Sequence, residues 1–152
     1  EAVLWSRRSH DSETQCGCVL VKNKTSIATG YNGFMRDIND RALPSVRPDK
    51  YPFMIHAEAN AIYNCARQGE STLGARAYVT ACPCTDCLQT LWQCGVHEIY
   101  FSDLSSPKGD VLSKKYNDVL KQIGDRLIVK YIPKDVLDNT FLVESAEKFE
   151  KI

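Results

Sequence analysis

With 152 residues, 43% of them apolar, the chain is long enough to bury a sizeable core, and residues 1–152 read as one domain. Nineteen basic and nineteen acidic residues cancel. That balance argues against the broad positive face a nucleic-acid partner requires, though not against a small anion held by a few local cations.

Residues 1–9 read as the end of a helix, with Val3, Leu4 and Trp5 on its apolar side. Gln15 to Val21 is apolar almost throughout, as a strand buried on both faces would be. Cys16 and Cys18 read there as small core filler. Lys22 to Thr25 is a polar turn and Ser26 to Thr29 the returning strand, so the chain opens with a hairpin. Gly30-Tyr31-Asn32-Gly33 then allows positive φ and close backbone approach, either as a plain hairpin exit or as a ligand-facing loop.

Residues 34–54 show no clear periodicity and contain Pro44, Pro48 and Pro52. A structureless segment of about 20 residues is unusual inside a compact domain and tends to be functional. It carries Arg36, Arg41, Arg47 and Lys50, either as a solvated loop or as a lid bringing cations to a substrate phosphate. A helix follows over 56–68, stopped by Gly69; then come a strand over 75–80, a helix over 84–94 stopped by Gly95, and a strand over 96–101. A helix over 108–123, a strand over 127–132 and an amphipathic helix over 134–150 complete the chain. Strands and helices alternate from residue 75 onward, which is the mark of parallel crossovers. The expected architecture is α/β, three layers, with a mixed five-stranded sheet flanked by helices.

No run of about 18 apolar residues exists and no leader pattern opens the chain, so neither membrane insertion nor export is expected. Seven cysteines is an odd number, and two of them form C-x-x-C. Metal binding in a reducing cytosol fits that pattern better than a disulfide framework.

The chemistry concentrates in His56-Ala57-Glu58 and Pro83-Cys84-Thr85-Asp86-Cys87. One imidazole and two thiolates suit zinc, and a structural zinc site would normally close its shell with a fourth protein ligand. Three ligands beside a carboxylate instead leave a coordination position next to a general acid/base, as a hydrolytic centre needs. H-x-E with P-C-x-x-C is the established signature of zinc nucleobase deaminases. Cys84 and Cys87 lie three apart on one face of a first helical turn, whose positive pole favours thiolates. His56 and Glu58 are about 200° apart on an ideal helix, so they share a site only if the metal lies off the helix end. A closed structural zinc with Glu58 as a surface acid is the bland alternative. Asp86 is the one nearby candidate for a fourth ligand, and reads better as a first-turn helix residue. His10 and His97 read as structural.

Arg8-Ser9, Ala28-Thr29-Gly30-Tyr31-Asn32-Gly33, His56-Ala57-Glu58-Ala59-Asn60-Ala61, Tyr78-Val79-Thr80 and Pro83-Cys84-x-x-Cys87 together resemble the deoxycytidylate (dCMP) deaminases of the cytidine deaminase superfamily. The likeness covers about residues 8–101. It implies a cytidine-deaminase-like fold and one catalytic Zn²⁺ on His56, Cys84 and Cys87, with Glu58 as proton shuttle. It also implies Asn32 on the deoxyribose and the Ala57 backbone N–H on the pyrimidine O2, with Asn60 counted among the substrate-binding residues beside Arg47 and Lys50. Enzymes of that family convert dCMP to dUMP and are typically homohexamers, activated by dCTP and inhibited by dTTP. Gly30, Tyr31, Gly33 and Arg67 match positions associated with the effector site. Where many relatives have Cys and Arg after Arg-Ser, this chain has His10-Asp11-Ser12-Glu13, and residues 34–54 lack the ligands of a second zinc that some phage relatives carry. Other deaminases of the superfamily, acting on free cytidine or deoxycytidine, a tRNA adenosine or a riboflavin precursor, stay open, as does a non-catalytic zinc module.

Overall fold

A computed structural model describes residues 1–102 and 114–133. The helix expected over 134–150 and the first residues of the one expected over 108–123 lie outside them. The elements are α1 (Ala2–Ser6), β1 (Gly17–Lys22), β2 (Thr25–Tyr31), α2 (Ala57–Gln68), β3 (Arg76–Val79), α3 (Thr85–Gln93), β4 (Glu98–Phe101), α4 (Lys114–Ile123) and β5 (Ile128–Tyr131).

The five strands form one sheet in the order β2-β1-β3-β4-β5. β1 is antiparallel to both β2 and β3, whereas β3, β4 and β5 are parallel, so the sheet is mixed as expected. The opening hairpin turns through Asn23 and Lys24, both with positive φ (52° and 62°), a tight two-residue connection whose twist matches that of its strands.

Two glycines set the layers. Gly30 pairs with Cys18 across the hairpin and Gly17 pairs with Tyr31, so Gly30 and Gly17 point to opposite faces of the sheet. A Cβ on Gly30 would stand 2.2 Å from the Ala57 carbonyl oxygen and 2.5 Å from the Ala61 nitrogen; one on Gly17 would stand 2.1 Å from the Ala2 carbonyl oxygen. Helices α2 and α1 therefore press on opposite faces, each through backbone that only a missing side chain admits. Close approach is what Gly30 supplies; neither it nor Gly33 adopts positive φ.

The core gathers Cys18, Leu20, Ala61, Cys65, Ala77, Leu88, Leu91, Val96 and Ile99, all essentially inaccessible to solvent. Small residues on the inner face of α2 let it sit close to β2. Gly69 (φ 71°) ends α2 in the left-handed conformation that glycine adopts at low cost. At the amino end the expected apolar side is turned outward: Val3 and Leu4 are exposed, because five residues make too short a helix to bury more than Ser6. Residues 34–54 are not wholly structureless, holding 3₁₀ turns at Asp40–Ala42 and Tyr51–Phe53. The segment is closed at its base by reciprocal hydrogen bonds between Gly33 and Ile55, at 3.0 and 2.8 Å. Among the described residues no helix is long and apolar enough to cross a membrane.

Candidate active site

The closed loop of 34–54 delivers the chain to His56, which stands at the N-cap of α2 with extended backbone (φ −71°, ψ 156°). Cys84 takes the same place on α3 (φ −68°, ψ 168°), and Cys87 lies three residues on. Neither N-cap side chain caps its own helix, so both can turn to other work. The two helix starts meet. The His56 Nδ1 lies 3.5 Å from the Cys84 sulfur and 3.3 Å from the Cys87 sulfur, and the three donor atoms fall within 4.8 Å of one another.

Those separations fit zinc. Tetrahedral ligands at ordinary Zn–S and Zn–N bond lengths stand about 3.6 Å apart along an N···S edge. The electrostatics agree. A hydrogen bond from Cys87, with His56 adjacent, holds the Cys84 thiol down to about 4. Cys87 is pushed up by the same hydrogen bond and by burial. A divalent cation on both sulfurs favours the thiolate form of each. Asp86, exposed on the outer side of α3, is not among these donors.

Glu58 sits one residue into α2, 5% exposed and in the wall of a cavity that His56, Ala57 and Cys84 also line. Burial raises its carboxyl above the usual carboxylate range, against the lowering pull of its own backbone N–H and of His56. The cavity thus sets a buried acid beside three soft ligands at the meeting point of two helix N-termini, off the helix end rather than beside it.

Other expected site residues divide. Asn32 is buried in the cavity wall, its Oδ1 accepting from the Cys16 N–H (2.7 Å) and its Nδ2 donating to the Thr14 carbonyl (2.8 Å). Ala57 lines the same space. Asn60 does not; it donates to the Tyr31 carbonyl at 2.8 Å and so ties α2 to the end of β2. Of the four cations of the 34–54 segment, Arg47 and Lys50 reach the cavity wall, whereas Arg36 bonds Asn64 and Arg41 is exposed on a 3₁₀ turn.

Lys50 differs from the free phosphate ligand the sequence suggests. It is 2% exposed, and its Nζ donates to both oxygens of Asp11 (2.6 and 2.8 Å) and to Glu13 Oε2 (2.7 Å). Asp11 also accepts from the Glu13 and Thr14 backbone N–H groups and lines the cavity. Sequence reasoning missed Asp11 as a site residue, since nothing local marks its partner 39 residues away. It missed Cys16 as well, which faces the cavity rather than only filling the core. Tyr31 stacks on Trp5, Gly33 is spent on the bridge to Ile55, and Arg67 is exposed in the last turn of α2.

An α/β sheet carrying a His-Cys-Cys cluster and a buried glutamate at two helix starts defines a zinc centre of the hydrolytic type. The model of the cytidine and deoxycytidylate deaminase zinc-binding region matches residues 1–103. The chain belongs to that family of zinc-dependent deaminases. It is 32% identical to the deoxycytidylate deaminase of Homo sapiens, over 88% of this chain and 76% of that protein. A probable deoxycytidylate deaminase of Drosophila melanogaster is 35% identical over 70% of this chain, which spans only 58% of that protein's length. The dCMP deaminase of the cyanophage S-TIM5, solved in complex with dCMP and dUMP, superposes with a TM-score of 0.70 at 28% identity, over 86% of this chain and 90% of the phage chain.

Proposed function

We propose that the chain hydrolyses the exocyclic amino group of dCMP, giving dUMP and ammonia, and so supplies thymidylate synthesis. The observation that carries this reading is the buried Glu58 carboxylate in one cavity wall with His56 and Cys84. His56, Cys84 and Cys87 would hold the metal. Zinc there supplies the Lewis acidity that brings the pKa of water close to neutrality. The Glu58 carboxylate takes a proton from the attacking water, gives it to the ring nitrogen next to the amino-bearing carbon, and then assists departure of ammonia as the carbon–nitrogen bond breaks. A carboxyl raised by burial is better matched to passing that proton in both directions. The Ala57 N–H, at the start of α2 and without a helical acceptor, suits the pyrimidine O2. Asn32, fixed by Cys16 and Thr14, presents the remaining lone pair of its Oδ1 to a deoxyribose hydroxyl. Arg47 and Lys50 form the end of the cavity that would meet the 5′-phosphate.

The same reading takes residues 1–152 as one domain of a cytoplasmic homohexamer with dCTP as activator and dTTP as inhibitor. This reading assigns Arg67, exposed at the far end of α2 from Glu58, to a second nucleotide site near a subunit contact. One observation favours a different substrate, free deoxycytidine: the Lys50 ammonium is already held by two carboxylates. Ultraviolet assays of dCMP, dCTP, deoxycytidine and cytidine on zinc-loaded protein separate the readings. The dCMP reading expects the highest kcat/KM for dCMP, and equal efficiency on deoxycytidine rejects it.

A further inference from the structure

We propose that Glu13 is a specificity-determining residue that competes with the substrate's 5′-phosphate for Lys50 and for the Arg47 backbone N–H, and so sets how strongly the site prefers a nucleotide over a nucleoside. This inference rests on the reading of the cavity as a dCMP site.

The hydrogen-bond inventory leads there. An ammonium has three protons to give. In Lys50 they face Asp11 Oδ1 at 2.6 Å, Asp11 Oδ2 at 2.8 Å and Glu13 Oε2 at 2.7 Å, with almost no solvent access. The Arg47 backbone N–H also points at Glu13 Oε2, at 2.9 Å, and the Arg47 guanidinium is on the Thr14 hydroxyl. One carboxylate oxygen thus takes the Lys50 ammonium and the Arg47 backbone N–H together, while the Arg47 guanidinium is on a neutral hydroxyl. With Asp11 and Glu13 both on Lys50, an arriving phosphate dianion meets an ammonium whose charge is already matched.

The two acids are not equivalent. Asp11 is as buried as Lys50 and is held from behind by the N–H groups of Glu13 and Thr14 and by Asn32 Nδ2. Glu13 is about a third exposed and stands at the solvent side of Asp11, Thr14, Arg47 and Lys50, at the rim rather than among the lining residues. Its carboxylate can rotate into water while Asp11 cannot, and the donors it leaves are already aimed. The hydrogen bond from Lys50 holds the Glu13 carboxyl below its ordinary range, so it is charged at neutral pH. A phosphate oxygen taking its place restores three bonds to Lys50 and leaves one net positive charge among the remaining groups. Phosphate affinity then equals the new contacts less the cost of evicting Glu13. A nucleoside, with no phosphate, leaves Glu13 where it is.

Glu13→Gln keeps the shape and the acceptor for Arg47 and removes the charge. The measurement is kcat/KM for dCMP and for deoxycytidine on zinc-loaded wild type and variant. The ratio of dCMP to deoxycytidine is expected to rise about tenfold, carried by KM, the scale of one charged hydrogen bond exchanged for a neutral one. Calorimetric titration with dUMP and with deoxyuridine gives the same comparison without turnover, the variant gaining for dUMP alone. An unchanged or smaller ratio in both measurements overturns the role of Glu13, as does an equal gain for both ligands. Failure of the dCMP reading looks different: neither protein prefers dCMP to deoxycytidine, and neither binds dUMP more tightly than deoxyuridine. Should Glu13→Gln fold poorly, Glu13→Ala with the same ligands takes its place, with melting temperature as the control.

Discussion

Asp11 and Lys50 bind each other across 39 residues of sequence, with both side chains 2% exposed. The pair fastens the start of the Tyr51–Phe53 turn, where Lys50 stands at the N-cap, to the stretch just ahead of β1, and both residues face the cavity. Breaking a buried pair by removing one partner costs about 3–5 kcal/mol, because the other charge is left without compensation. Lys50→Met is expected to destabilise the protein on that scale at neutral pH.

The pH dependence of that loss has a definite sign. Burial alone would raise Asp11, but hydrogen bonds from Lys50 and from the Glu13 and Thr14 N–H groups outweigh it and bring its pKa below the ordinary 3.8. A carboxyl depressed on folding adds stability above its unfolded pKa and loses it as pH falls through the folded one. In the Lys50→Met protein the same carboxyl is buried without its cation and rises instead. Denaturant unfolding at pH 7 and at pH 3.5 should therefore show a large difference between the two proteins at pH 7 and a smaller one at pH 3.5. A difference that does not shrink in acid would remove the ion pair as its cause.

Glu58→Gln should keep zinc content and melting temperature and lose deamination by at least about two orders of magnitude, since proton transfer of this kind is worth about 10²- to 10⁴-fold. Metal analysis and steady-state rates on the same preparation check it. More than a tenth of the wild-type rate would mean that another group moves the proton.

Cys87→Ser should lose stoichiometric zinc together with activity, while wild type stripped by a chelator recovers both on adding zinc. A hydroxyl does not ionise to replace the thiolate that the site requires. Zinc retained at one equivalent in Cys87→Ser would point to ligands other than the trio at the two helix starts.

Gly30→Ala tests how α2 is seated. The added methyl would fall 2.2 Å from the Ala57 carbonyl oxygen and 2.5 Å from the Ala61 nitrogen, both backbone atoms at the start of the helix that carries His56 and Glu58. Overpacking against atoms that cannot rotate away costs about 1–3 kcal/mol or more, so the melting temperature falls, and activity falls with it as α2 shifts. Full activity with an unchanged melting point would show that the contact is softer than its geometry.

Arg67 lies nine residues beyond Glu58, about 13 Å along the axis of α2 at 1.5 Å per residue. With dCTP as the proposed activator and dTTP as the proposed inhibitor, Arg67→Glu is expected to abolish both effects while zinc content and unactivated turnover stay measurable. Saturation curves for dCMP with and without each nucleotide decide it. Unchanged responses would leave Arg67 as a solvated residue at the negative end of its helix.

What the sequence determined by itself was local. Helix α2 from its alanine-rich stretch to Gly69, the Pro83-Cys84 start of α3, and the alternation that makes β3, β4 and β5 parallel all follow from residue spacing and punctuation over a few residues. The trio His56, Cys84 and Cys87 with Glu58 was legible for the same reason: each motif stands in the first turn of a helix, where spacing alone sets geometry, and zinc chemistry says that the two must meet. The tertiary structure decided what depends on partners distant in the chain. Lys50 reads in sequence as a free cation in a polar loop, and only the fold places Asp11 and Glu13 against it. Gly30 reads in sequence as a place for positive φ or for close backbone approach, and only the packed helix shows that it is the approach, to the backbone of Ala57. Asn60, two positions from Glu58, is turned by the helix toward β2 and holds Tyr31 instead of facing the cavity. Charge and size are properties of a residue, but what neutralises a charge or fills a space is a property of whatever the fold brings beside it.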